Sequence, residues 1–180
     1  MRPFLVLYTA LALHYTGVAS AASVRYGEWL LEQPRSSVLT LSFKQSISLD
    51  NKITTSELGF VCDQTDKSIG VILIPFEGAF ENNQRVIPVL IEKNSDRYDS
   101  SDLLQHWQNE TEYIFAESKD DIDQLASLLK ASEIEGVKSV HFFFPNDADA
   151  GPQISNHTVI SVSGFSDGFS AFQAACAASR

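Results

Sequence analysis

The sequence predicts an α+β domain: a mainly antiparallel, twisted sheet or small sandwich with two helices, the C-terminal helix tied by a disulfide to a sheet strand. Three observations predict it. Apolar residues along most of the chain recur at period two, the spacing of half-buried strands. Two segments, beginning at Ser118 and at Phe165, switch to the helical period. The chain holds two cysteines, Cys62 and Cys176, and the second falls on the apolar face of the second helical segment.

The N-terminus reads as an export signal. Met1, Arg2 and Pro3 make a short basic start, Phe4 to Leu13 is an apolar run, and Ala19-Ser20-Ala21 offers small residues where a signal peptidase cuts. A membrane span needs about 20 apolar residues, whereas His14, Tyr15 and Thr16 interrupt this run after about ten. The expectation is a signal peptide over residues 1–21 and a single periplasmic or secreted domain over 22–180. Without residues 1–21 there remain 12 basic and 23 acidic side chains, a formal charge of −11 on 159 residues. So acidic a surface repels phosphate backbones and anionic headgroups, which excludes nucleic acid and lipid as main partners. Its electrostatics suit solubility, or a basic protein partner steered in by the opposite field.

Strands are expected at Trp29–Leu31, Val38–Ile47, Leu58–Cys62, Ile69–Phe76, Arg85–Glu92, Tyr113–Ala116, Val137–Pro145 and Thr158–Gly164. In the second, Leu39, Leu41 and Phe43 oppose Val38, Thr40, Ser42 and Lys44. In the third, Leu58, Phe60 and Cys62 share one face, which points the cysteine inward. Turns are expected at Glu77-Gly78 and Asn82-Asn83, and Pro75 and Pro88 belong at an edge, an end or a bulge. Ser118-Lys119-Asp120-Asp121 resembles a capping box with Asp in place of Glu. Ile122, Leu125, Leu128 and Leu129 then form the stripe of the first helix. Phe165, Phe169, Phe172 and Cys176 fall at i, i+4, i+7 and i+11, so one helical face carries three rings and a cysteine. That face is expected to pack on the sheet where Cys62 points inward.

An even cysteine count in an oxidising compartment makes a Cys62–Cys176 bond the expected pairing, over two buried free thiols or a bond to another chain. In the chain-entropy account such a long closure contributes at most about 4 to 5 kcal/mol. The pair is read as structural, because there is no Cys-x-x-Cys and no basic neighbour beside Cys62 to favour a thiolate.

The order of these features resembles a known family. It runs from an early Trp29 through a strand ending in Cys62, a strand and charged loop from Ile91 to Trp107, and a short strand at Tyr113–Phe115. It continues with a leucine helix, a strand ending in Phe144-Pro145, and Val159-Ile160-Ser161-Val162-Ser163-Gly164-Phe165 leading to Ala171, Phe172 and Cys176. This is similar to the small envelope proteins encoded with type VI secretion clusters, the VasI/TagO-like family. The resemblance implies an accessory or binding role in the bacterial envelope and transfers no active site.

Catalytic and metal signals are weak. His106, His141 and His157 accompany no Gly-x-Ser-x-Gly elbow and no reactive cysteine, so no enzyme activity is expected. Asp147-Ala148-Asp149-Ala150-Gly151 resembles the start of a calcium loop, but Pro152 replaces its glycine and Thr158 its terminal Glu. No histidine pair has zinc spacing, and no cofactor or metal is expected. Asn109-Glu110-Thr111 and Asn156-His157-Thr158 fit the glycosylation acceptor pattern, which has meaning only in a eukaryotic source. Segments 93–111 and 145–157 read as the long loops. The first carries Asp96, Arg97, Tyr98, Asp99, Asp102, His106 and Trp107, charges beside an anchoring aromatic, and is the candidate surface for a protein partner, including a basic hydrolase that the chain would inhibit.

Overall fold

The computed structural model describes residues 23–49, 52–74, 90–93, 96–99, 108–109, 114–143 and 157–178. Their elements run β1 (Val24–Tyr26), β2 (Trp29–Arg35), β3 (Val38–Leu49), β4 (Lys52–Asp63), β5 (Ser68–Ile74), β6 (Leu90–Lys93), β7 (Asp96–Asp99), β8 (Gln108–Asn109) and β9 (Ile114–Ala116). Helix α1 (Lys119–Ile134), strands β10 (Ser139–Phe143) and β11 (His157–Ser161) and helix α2 (Phe165–Ala178) follow. The strands form a seven-stranded sheet in the order β1-β2-β3-β4-β5-β9-β8 and a four-stranded sheet in the order β11-β10-β6-β7. Every pairing is antiparallel. Among the described residues the α+β architecture, with two helices and the last one stapled to β4, is therefore the observed one.

Alternation explains the large sheet. Leu39 pairs with Cys62, Leu41 with Phe60 and Phe43 with Leu58, and all six side chains are buried. Cross-strand neighbours on one face of an antiparallel pair touch directly, so these six build a continuous apolar surface. The opposite set on β3, Val38, Thr40 and Ser42, is buried as well. Helix α2 lays Phe165, Phe169 and Phe172 on the inner surface, where the Phe165 ring is 4.8 Å from Trp29 and the Phe169 ring 4.9 Å from Phe60. Tilted and edge-on rings at such spacing add attraction beyond area burial. Ile122, Leu125 and Leu129 of α1 and Val140, Phe142 and Ile160 of the smaller sheet complete the core.

Several expectations need correction. Segment 93–111 is not a simple loop: Asp96–Asp99 is strand β7, paired with β6 from Leu90↔Asp99 to Lys93↔Asp96, and Gln108–Asn109 is strand β8. Asp-Arg-Tyr-Asp has no apolar alternation, so pairing with β6 rather than an intrinsic pattern makes it a strand. Strand β4 begins at Lys52, well before Leu58, and β1 had no periodic signal. The strand foreseen at Thr158–Gly164 stops at Ser161, because Gly164 adopts φ +80° and turns the chain into α2. Ser118 makes no side-chain cap hydrogen bond. Asp121, at the fourth place of that motif, is buried, and its side chain is one methylene shorter than the Glu that makes the return bond of a capping box. Pro75, Pro88, the two turns at 77–78 and 82–83, and residues 85–89, 113 and 144–145 of the expected strands lie outside the described residues.

Candidate functional site

The described part of the molecule is organised around the start of α2. Cys176 and Cys62 form a disulfide across 114 residues with their Cα atoms 6.0 Å apart. Three turns earlier, the chain entering α2 crosses the β1–β2 hairpin. A Cβ on Gly164 would stand 2.3 Å from the Tyr26 carbonyl oxygen, and one on Gly27 2.3 Å from the Ser163 carbonyl oxygen. Both residues have positive φ, 80° and 54°, so two glycines meet where neither backbone tolerates a side chain. The Glu28 N–H donates to the Ser163 carbonyl at 3.1 Å, and the Trp29 indole Nε1–H donates to the Ser161 carbonyl at 2.9 Å.

Helix α1 contributes the cap of α2. Glu133 accepts from the Gly164 N–H at 2.6 Å through Oε1 and from the Ser166 N–H at 2.8 Å through Oε2. The first N–H groups of a helix have no intrahelical partner and a carboxylate there also meets the positive end of the dipole. Partial burial alone would raise the Glu133 carboxyl. The Ser166 side chain and the N–H groups of Ser166, Gly164 and Phe165 outweigh it and hold the carboxyl below its ordinary value.

Beside this junction opens a cleft of about 590 Å³. Phe43 and Gln45 of β3 line one part of it and Val159 and Ser161 of β11 another, with Glu28 and Lys138 adding charge. Gln45 follows Phe43 in the inward alternation of β3, and it faces Ser56 directly across the β3–β4 ladder. Gln45 Oε1 and Ser56 Oγ are both buried without a hydrogen-bond partner. Buried polar atoms are nearly always paired, by protein or by something bound. The inner surface thus ends, just past Phe43, at Gln45 in the cleft lining, with Ser56 opposite it on β4.

No family model and no curated protein matches the chain. Among solved structures, the crystal structure of invasion associated protein b from Bartonella henselae is similar. The two share 13% sequence identity at a TM-score of 0.53, over 86% of this chain and 98% of that one. At that identity the likeness is one of fold.

Of the residues singled out in the sequence, the structure brings Cys62 and Cys176 together. Asp96, Arg97, Tyr98 and Asp99 fall on β7, while Asp102, His106 and Trp107 lie outside the described residues, as does the calcium-like segment 147–152. His157 opens β11. His141 lies in β10, with Nε2 3.4 Å from the Ser139 Oγ. Strand β10 pairs with β11 over Ser139–Phe143 and with β6 over His141–Phe143. Among the described residues no group of three or more His, Cys, Asp or Glu could hold a metal ion, and no helix is long and apolar enough to cross a membrane. The features that sequence reasoning missed are Gln45, Glu133 and the glycine crossing. Gln45 had a signal, since it breaks an inward run of Leu39, Leu41 and Phe43. Glu133 had none, because it serves a helix that starts about thirty residues later.

Proposed function

We propose that this chain is a non-enzymatic exported accessory or binding protein of the bacterial envelope. The observation that carries the reading is the Cys62–Cys176 disulfide, buried in the core at 0% and 3% exposure, in a chain whose first 21 residues read as an export signal. Such bonds form and persist in oxidising compartments. The fold likeness to the invasion associated protein b of Bartonella henselae agrees with a bacterial, outward-facing setting. Association with type VI secretion is the finer reading, and the order of features from Trp29 to Cys176 supports it.

Expression of the full chain in a bacterium, followed by fractionation, thiol alkylation and mass spectrometry, tests the compartment. The expected product starts at Ala22, lies outside the cytosol and has both thiols blocked to alkylation. An intact N-terminus with two free thiols in the cytosol overturns the reading. Affinity capture from the periplasm tests the role: an envelope assembly component supports an accessory function, whereas a basic hydrolase as the specific partner replaces it with inhibition.

A further inference from the structure

We infer that the cleft beside β11 docks an extended, basic segment of a partner protein, which adds to the open edge of β11 as a further strand. The inference deepens the binding-protein reading and rests on it. Its first support is the direction of the backbone. The Val162 N–H bonds the Lys138 carbonyl, and the β10–β11 register runs from Ser139↔Ser161 to Phe143↔His157. Hydrogen-bonded and non-bonded pairs alternate in an antiparallel ladder, so Thr158 and Ile160 bond toward β10, whereas Val159 and Ser161 turn their N–H and C=O the other way. The bond from the Trp29 indole to the Ser161 carbonyl agrees with this direction. Val159 comes next along that side, and among the described residues β11 is the terminal strand of its sheet.

The second support is further unpaired backbone on β3, next to Phe43 and Gln45 of the cleft lining. The Gln64 N–H bonds the Ser37 carbonyl, and the unbroken β3–β4 register then sends the N–H and C=O of Lys44, Ser46 and Ser48 away from β4. Strand β2 starts at Trp29, one residue beyond its Leu30↔Ser42 pair with β3, so among the described residues no strand covers that edge. β-augmentation adds a strand to one exposed sheet edge, and here the receiving edge is that of β11 beside Val159.

The third support is side-chain chemistry. Gln45 lines the cleft with a buried, unpartnered Oε1, an acceptor suited to a backbone N–H. Glu28 and Glu133 place two carboxylates in the lining against the single ammonium of Lys138, on a chain of formal charge −10. A Lys or Arg on the incoming strand answers that field.

The test uses the secreted protein, isotopically labelled, titrated at low salt with a capped octapeptide of alternating lysine and valine. The Val159 amide and the Gln45 side-chain amide are expected to shift with saturation, and hydrogen exchange at Val159 to slow. An alternating glutamate and valine octapeptide, and the lysine peptide N-methylated at alternate residues, are each expected to bind about tenfold more weakly or worse, since one loses the charge match and the other its backbone donors. Gln45→Leu is expected to weaken the lysine peptide about tenfold without lowering the melting temperature, whereas a structural glutamine would lower it. Equal binding of the N-methylated peptide, shifts confined to other surfaces, or no saturable binding at millimolar peptide overturns the docking site. If these fail while periplasmic capture still yields a specific partner, the binding-protein reading stands and only this cleft is wrong.

Discussion

Glu133 is the residue on which the junction of the two helices turns. A carboxylate taking two backbone N–H groups of α2 does the work that a cap residue in α2 itself would do. Its folded carboxyl is held below the ordinary value of 4.5. The unfolded chain therefore binds more protons near that pH, and stability rises with pH there. The increment is complete above about 4.5 and disappears as pH falls through the lowered folded value. Glu133→Gln keeps the shape and removes the charge, so it should cost about 1 kcal/mol at neutral pH, the usual size of a cap. Urea unfolding at neutral pH and again well below pH 4 measures both ends of this window. A cost that persists unchanged in acid would show that the charge is not the agent.

At the level of elements, two of the glycines at positive φ, Gly136 after α1 and Gly164 after β11, make opposite demands. Gly164 at φ +80° faces the Tyr26 carbonyl at 2.3 Å from a would-be Cβ, whereas Gly136 at φ +78° ends α1 with nothing within 4 Å. Gly136→Ala should cost only the left-handed backbone penalty, about 1 kcal/mol. Gly164→Ala adds a backbone clash that must push the β1–β2 hairpin away, so about 3 kcal/mol or more is expected. Thermal unfolding of the two variants compares them directly; equal losses would mean that the hairpin and the α2 turn do not touch in solution. The same contrast explains what the sequence made legible. Strands β3, β4 and β5 and the faces of both helices were readable because each buries one side and so must alternate or repeat. Strand β7, with Asp-Arg-Tyr-Asp, owes its form to its neighbour, and Glu133 and Gly164 owe their roles to contacts between distant segments. Such features leave no local period. Gln45 sits between these cases: its place in the inward run was visible, and its meaning needed the cleft.

For the whole molecule, the decisive link is the disulfide between the middle strand β4 and the last helix. It closes 114 residues, and in the chain-entropy account its loss in C62A/C176A should lower stability by at most about 4 to 5 kcal/mol. That is a large share of the roughly 5 to 15 kcal/mol that holds a domain together. The two cysteines lie at 0% and 3% exposure beneath Phe165, Phe169 and Phe172 in one core. A dissolved thiolate therefore cannot reach either sulfur while that core is closed, and attack on a disulfide requires such access. Reduction of the native protein is accordingly expected to proceed at the rate of core opening. It should become independent of dithiothreitol at high concentration and accelerate with added urea in step with the unfolding rate. A reduction rate that stays proportional to reductant in the absence of urea would mean that α2 lifts from the sheet on its own, with the rest of the fold intact. In that case the Glu133 cap and the glycine crossing, which act at the other end of the same helix, would have to be holding the two sheets together without the sulfur bridge.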